Sequence, residues 1–242
     1  QIETIRKGVE FLVATPGRLL DLVEQKCLNF QSVQALVLDE ADRMLDMGFI
    51  PDVTRIINLL PKDTRQSLLF SATFSNEIKK LADTMLKSPE LVEVAKRNTV
   101  SETITHRVHP VSADAKRALL TRLLKSDEYD QVLVFTRTKQ ETGKLARELA
   151  KAGIAADAIH GDKSQSERLK ALEAFKDGSV KVLVATDVAA RGLDIDELPH
   201  VINFELPHTP EDYVHRIGRT GRAGKKGTAV SMVSADEVQY LV

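Results

Sequence analysis

A chain of 242 residues, 43% hydrophobic and 29% charged, can bury the core of one or two globular domains. The net charge of −1 provides no global basic field, so any polyanion site must be a local patch, and a single cysteine, Cys27, excludes an internal disulfide framework and a cysteine-based zinc cluster. No apolar stretch is long enough to span a membrane and no signal peptide is recognisable, so a reduced, cytoplasmic setting is expected; Gln1 does not read as a natural start, and an upstream cut is expected.

In chain order, residues 11–14 read as a buried strand running into Thr15-Pro16-Gly17-Arg18. There Thr15 suits a helix cap and Pro16 the first turn, with Leu19, Leu20 and Val23 following. The free amides and Arg18 at that helix start could hold a phosphate of a polymer backbone, or the tetrapeptide could be a plain cap. Residues 35–38 form a short apolar run, expected to be a parallel strand buried on both faces, and it ends abruptly in Asp39-Glu40-Ala41-Asp42. Open α/β sheets bind ligands at such carboxyl ends. Asp39 suits a magnesium ion held through one carboxylate and phosphates, and Glu40 could orient or deprotonate a water beside it. An acidic helix start accounts for the same residues, because carboxylates stabilise a helix N-terminus.

A helix is expected over 52–60 and a strand over 66–70, closing on Ser71-Ala72-Thr73, whose hydroxyls could hydrogen-bond Asp42 and couple two sites, or simply favour a turn. Helix 75–87 should bury Ile78, Leu81, Ala82 and Met85, and 91–94 reads as a short strand. The pattern then lapses into polar residues, placing a linker at 97–103 between units 1–96 and 104–242.

From 104 onward strands and helices alternate: strands 104–111, 131–136, 154–159, 180–185, 200–204 and 228–233, with helices 113–125, 138–151, 164–176 and one from Glu211. Such alternation specifies right-handed βαβ units on a parallel sheet. Several strand ends carry polar groups: Thr136 and Arg137, His160 and Gly161 followed by Gln165 and Arg168, then Thr186 and Asp187. Gathered on one edge, they fit a long anionic ligand crossing it. His215-Arg216-Ile217-Gly218-Arg219-Thr220-Gly221-Arg222 spaces three arginines among glycines, a pattern suited to phosphate, or to a solvated basic turn.

Together these stretches resemble the DEAD-box RNA helicases, most closely the bacterial RhlE-type branch. Asp39-Glu40-Ala41-Asp42 is similar to the family's namesake motif, Ser71-Ala72-Thr73 to its coupling motif, and Thr15-Pro16-Gly17-Arg18 to an RNA-contact motif. The stretches from Thr186 to Asp194 and from His215 to Arg222 resemble the signatures of the second lobe. The resemblance implies two RecA-like α/β lobes, parallel sheets flanked by helices, the first lobe truncated at its front, closing as a monomer on ATP, Mg²⁺ and single-stranded RNA. It implies that Asp39 acts on Mg²⁺ and Glu40 on the hydrolytic water, with Gly192 and Asp194 at the nucleotide and Arg219 and Arg222 as phosphate fingers. Asp42, Ser71, Thr73 and His215 are implied to couple the sites. RNA backbone is assigned to Thr15, Gly17, Arg18, Thr136, Gly161, Gln165, Arg168 and Thr186, contacts that carry no direct sequence information.

One departure bears on activity. The family's Gly-x-x-x-x-Gly-Lys-Ser/Thr phosphate loop does not occur in these 242 residues. The near match at Gly143-Lys144 has Thr138 and Leu145 in the wrong places and is expected inside a helix, and Val242 falls early in an expected final helix. The chain by itself is therefore expected not to turn over ATP. A non-catalytic RNA-binding adaptor and a translocating DNA helicase are the alternatives; the acidic motif and paired arginines disfavour the first, and the Asp39–Asp42 and Thr15–Arg18 strings the second.

Overall fold

The computed structural model describes residues 1–93, 103–190, 195, 198–221 and 224–240. The chain divides into two compact units, Gln1–Arg97 and Asn98–Val242.

In the first unit, α1 (Ile2–Arg6) and α2 (Pro16–Glu24) precede β1 (Ala35–Leu38), α3 (Ala41–Asp46), α4 (Ile50–Leu59), β2 (Gln66–Leu69) and α5 (Asn76–Met85). β1 and β2 pair in parallel, Leu38 opposite Leu69. Leu36, Leu38 and Leu69 share one face and pack on Val53 and Ile57 of α4 and on Ile78, Leu81 and Met85 of α5. The expected stripe of α5 is buried as a whole, Ala82 included. Ser75 caps that helix by accepting from the Ile78 amide.

Two strand expectations fail in this unit for want of a neighbour, and a third, β1, holds as a parallel strand but not as one buried on both faces. Residues 11–14 form no strand, and Phe11 and Val13 are 90% and 98% exposed. Residues 91–93 are likewise irregular and exposed, while 94 lies outside the described residues. β1 is covered on one face only, with Val37 and, across from it, Leu68 facing solvent. Apolar content favours a strand, but a strand needs a neighbour for its backbone groups, and among the described residues this sheet offers two members.

The second unit contains β3 (Ile104–Pro110), a 3₁₀ turn at Ala113–Ala115, α6 (Lys116–Leu124), β4 (Val132–Thr136), α7 (Lys139–Lys151), β5 (Ala156–Ile159) and α8 (Gln165–Lys176). It continues with β6 (Val182–Thr186), α9 (Asp187–Ala190), β7 (His200–Asn203), α10 (Pro210–Ile217), β8 (Gly227–Val233) and a 3₁₀ segment, Ala235–Tyr240. The sheet order is β3-β8-β7-β4-β6-β5, every pairing parallel.

Strand alternation sorts the core into two layers. Val132 and Val134 face α6 and α7 through Leu120, Leu145 and Leu149. Leu133 and Phe135 face the other way, onto Ala171 and Phe175 of α8 and Ala189 and Ala190 of α9. Both faces are covered, which is why β4 and β6 are apolar up to their final threonine rather than alternating. Parallel strands put all their carboxyl ends on one edge, and that edge holds the polar groups that the sequence singles out. The expected linker lies outside the described residues except for Thr103.

Candidate functional site

In the first unit the acidic stretch turns the chain from β1 into α3. The Phe70 amide donates to the Leu38 carbonyl at 2.8 Å and the Ala41 amide to the Phe70 carbonyl at 3.0 Å, so the corner is tied to β2. Glu40 sits in the left-handed region, φ 51° and ψ 49°, a costly conformation for a residue with a side chain and one that concentrates at functional sites. Strand end and acidic helix start are both correct readings: Glu40 precedes α3 and Asp42 occupies its first turn.

The corner divides its carboxylates. Asp39 is exposed, one oxygen accepting from the Glu40 amide at 2.9 Å. Asp42 is buried, accepting from the Arg43 amide at 3.0 Å and from the Thr73 amide at 3.1 Å. The expected link to Ser71-Ala72-Thr73 therefore exists, but through the Thr73 backbone rather than a hydroxyl; the Ser71 hydroxyl is buried without a hydrogen-bond partner. Among the described residues no group of three or more His, Cys, Asp or Glu stands ready to cage a metal. An exposed carboxylate at a strand end fits Mg²⁺ held by one protein ligand together with phosphates and water.

At the start of α2, Thr15 occupies the cap position without a side-chain cap bond, and Gly17 is exposed. Arg18 is exposed but paired: it forms an ion pair with Asp21 and donates to the Gln1 side chain at 3.0 and 3.2 Å.

In the second unit, Gly161 follows β5 and has open space around it. Ser164 and Glu167 form a reciprocal capping box at the start of α8. Gln165 and Arg168 lie one turn apart on that helix, Arg168 donating to Gln165 at 3.4 Å while its Nε is buried without a partner. Thr186 ends β6 and accepts from the Ala189 amide at 3.4 Å, capping α9.

Thr136 requires a correction. It is fully buried, and its hydroxyl bonds the Thr142 hydroxyl at 2.6 Å. Because Thr142 donates to the Thr138 carbonyl at 2.8 Å, Thr136 is the donor of that pair and its hydroxyl is spent inside the fold. The threonine presented near this edge is Thr138, which caps α7 by accepting from the Glu141 amide at 3.2 Å. Gly143 and Lys144 lie in mid-α7, so the near match to a phosphate loop is a helix.

Arg216 is the residue that sequence reasoning left without a role. It is 1% exposed, and four hydrogen bonds hold its guanidinium. Nε and Nη2 donate to the two carboxylate oxygens of Asp187 at 2.6 and 2.7 Å, and Nη1 donates to Asn203 at 3.1 Å and to the Glu205 carbonyl at 2.6 Å. The group lies 5.0 Å from the Phe135 ring centre. Arg216 thus joins the carboxyl ends of β4, β6 and β7 to α10. A second buried charge continues the network: Glu237, 1% exposed, pairs with Lys116 and accepts from the Leu206 amide at 3.0 Å and the Ser234 hydroxyl at 2.8 Å. Its carboxyl is raised by burial, but the Lys116 and Ser234 bonds outweigh that and hold it below the usual range. His215 and Arg219 are partly exposed on the same segment; Gly192, Asp194 and Arg222 lie outside the described residues.

The family model for DEAD/DEAH box helicases matches residues 1–81, and that for the helicase conserved C-terminal domain matches 115–224. The ATP-dependent RNA helicase RhlB of Pseudomonas syringae pv. tomato is 46% identical over 233 residues, covering 96% of this chain and 59% of the relative. The DEAD-box ATP-dependent RNA helicase CshA of Geobacillus kaustophilus is 46% identical over 241 residues, covering 100% of this chain and 51% of the relative. The chain thus spans little more than half the length of these curated relatives. Neither relative bears the RhlE name, so the matches bear out the family and leave the branch as an expectation. Among solved structures, S. cerevisiae Dbp5 bound to RNA and ADP BeF3 superposes with a TM-score of 0.81 at 35% identity, covering 92% of this chain and 59% of that one. E. coli DEAD-box protein SrmB, bound to regulator of ribonuclease activity A, has a TM-score of 0.55 at 42% identity, over 59% of this chain and 84% of that one. The chain belongs to the DEAD-box ATP-dependent RNA helicase family.

Proposed function

We propose that this chain is the catalytic and RNA-gripping part of an ATP-dependent RNA helicase, coupling ATP hydrolysis to local unwinding or remodelling of RNA. The observation that carries the reading is the acidic corner. Asp39 is exposed at the strand end, Glu40 follows it in a strained left-handed turn, and Asp42 beside them is fastened to the Thr73 amide. In this reading Asp39 holds Mg²⁺, which supplies charge neutralisation at the phosphates, and Glu40 orients and deprotonates the attacking water. Gly192 and Asp194 hold the nucleotide, and Arg219 and Arg222 meet the charge developing on the γ-phosphate. Asp42, Ser71, Thr73 and His215 carry the coupling. Thr15, Gly17, Arg18, Gly161, Gln165, Arg168 and Thr186 grip RNA through phosphate and ribose, without sequence preference.

The same reading takes 1–96 and 104–242 as two RecA-like lobes joined at 97–103, working as a monomer in the cytoplasm. It also holds that the 242 residues alone do not hydrolyse ATP. Successive backbone amides and a lysine at a helix start cradle phosphates in such sites, and no such sequence occurs here. The test pairs two proteins. The 242-residue chain should show no micromolar binding of a non-hydrolysable ATP analogue with Mg²⁺ by calorimetry. The same chain extended at its front by a phosphate-loop segment from a relative should hydrolyse ATP in an RNA-stimulated manner. An extended chain that folds and binds ATP but ignores RNA would overturn the reading.

A further inference from the structure

The arginine-bearing segment after α10 is held from two sides. On one side the Leu198 amide donates to the Arg219 carbonyl at 3.0 Å, and the Thr220 hydroxyl donates to the Leu198 carbonyl. On the other side stands Thr103, the residue immediately before β3. Its hydroxyl donates to the Gly221 carbonyl at 2.6 Å, and its own carbonyl accepts from the Gly227 amide at 3.0 Å. Gly221 adopts φ +68°, and a Cβ there would lie 2.5 Å from Ile104 Cγ1 and 2.8 Å from the Thr103 hydroxyl. The contact is thus close enough that only glycine is accommodated, in a backbone conformation that glycine alone adopts freely.

We propose that Thr103 is a positioning residue for Arg219. The point where the chain enters the second unit is clasped to the loop that carries this arginine, so Thr103 and Leu198 together set where its guanidinium is delivered. The proposal rests on the reading of Arg219 as a phosphate finger. Such a finger acts only when its fork is delivered to the developing charge, and displacements of an ångström are costly to rate. Losing one neutral hydrogen bond from the clasp should therefore appear in the chemical step and leave ground-state binding of ATP and RNA in place.

The test uses the front-extended chain. Thr103→Val removes the hydroxyl and keeps the shape; kcat for RNA-stimulated hydrolysis should fall by about three- to tenfold, the equivalent of one neutral hydrogen bond. KM for ATP and RNA affinity should stay near wild type, the thermal midpoint should fall by no more than a few degrees, and Thr103→Ser, which restores the donor, should recover the rate. Equal rates for Thr103→Val and wild type, or equal losses for the valine and serine variants, would overturn the positioning role. Arg219→Ala separates the two levels. If it slows hydrolysis while Thr103→Val does not, only the clasp is wrong; if Arg219→Ala has no effect, the finger reading itself falls.

Discussion

The Arg216 guanidinium closes on both carboxylate oxygens of Asp187, at 2.6 and 2.7 Å, with the arginine buried. Asp187 opens α9 directly after Thr186, and Arg216 sits in the last turn of α10, so this pair sets the spacing between two stretches assigned to ligand contact. The arginine between His215 and Arg219 is thus an internal strut, while its neighbours one and three residues away remain partly exposed.

Breaking that strut should be severe. Asp187→Ala leaves Arg216 buried and short of its partner, and removing one member of a buried pair typically costs about 3–5 kcal/mol. Urea unfolding of the second unit should show a loss of that size; a change below about 1 kcal/mol would mean that the pair is effectively solvated.

Glu237 makes stability depend on pH. Its folded carboxyl lies below the ordinary value of 4.5: burial opposes ionisation, but the bonds from Lys116 and Ser234 prevail. A depressed acid contributes stability that is fully present above its unfolded pKa and is lost as pH falls through the folded one. Unfolding midpoints of the second unit should therefore hold from neutrality to about pH 5 and decline below it, and Glu237→Gln should flatten the decline. An unchanged decline in that variant would assign it to other carboxylates.

The buried hydroxyl of Thr136 predicts indifference to ligand. Thr136→Val should leave RNA affinity within about twofold of wild type, since no RNA contact is removed. Arg168→Ala, by contrast, should weaken binding alike for all sequences and reduce the salt dependence by about one counterion. Fluorescence anisotropy at several salt concentrations reads both; a large loss for Thr136→Val would return that residue to the interface.

The second unit was legible because its strands are apolar on both faces and its helices carry caps, such as Ser164 and Thr209, that appear in sequence as hydroxyl residues before acidic first turns. Periodicity alone placed β3 to β8 to within one or two residues. The first unit was less legible, because residues 11–14 and 91–93 have the composition of strands but no partner among the described residues, and pairing is not a property of a single segment. Within the site, Asp39, Glu40 and Asp42 stood out as a group, but that Asp39 is exposed while Asp42 is buried and bonded to the Thr73 amide was not legible in the spacing. Arg216 and Glu237 were missed as buried charges because their partners, Asp187 and Lys116, lie 29 and 121 residues away in sequence. The signal available for Arg216 was its place on an amphipathic helix, next to Ile217 on the buried side of α10.

The most direct measurement is single-turnover ATP hydrolysis by the front-extended chain carrying Glu40→Gln. The substitution keeps volume and hydrogen-bonding capacity but removes the base, so the account predicts a rate loss of about 10²-fold or more, with ATP and RNA binding retained. Hydrolysis at the wild-type rate in that variant would contradict the role of the acidic corner on which the functional reading stands.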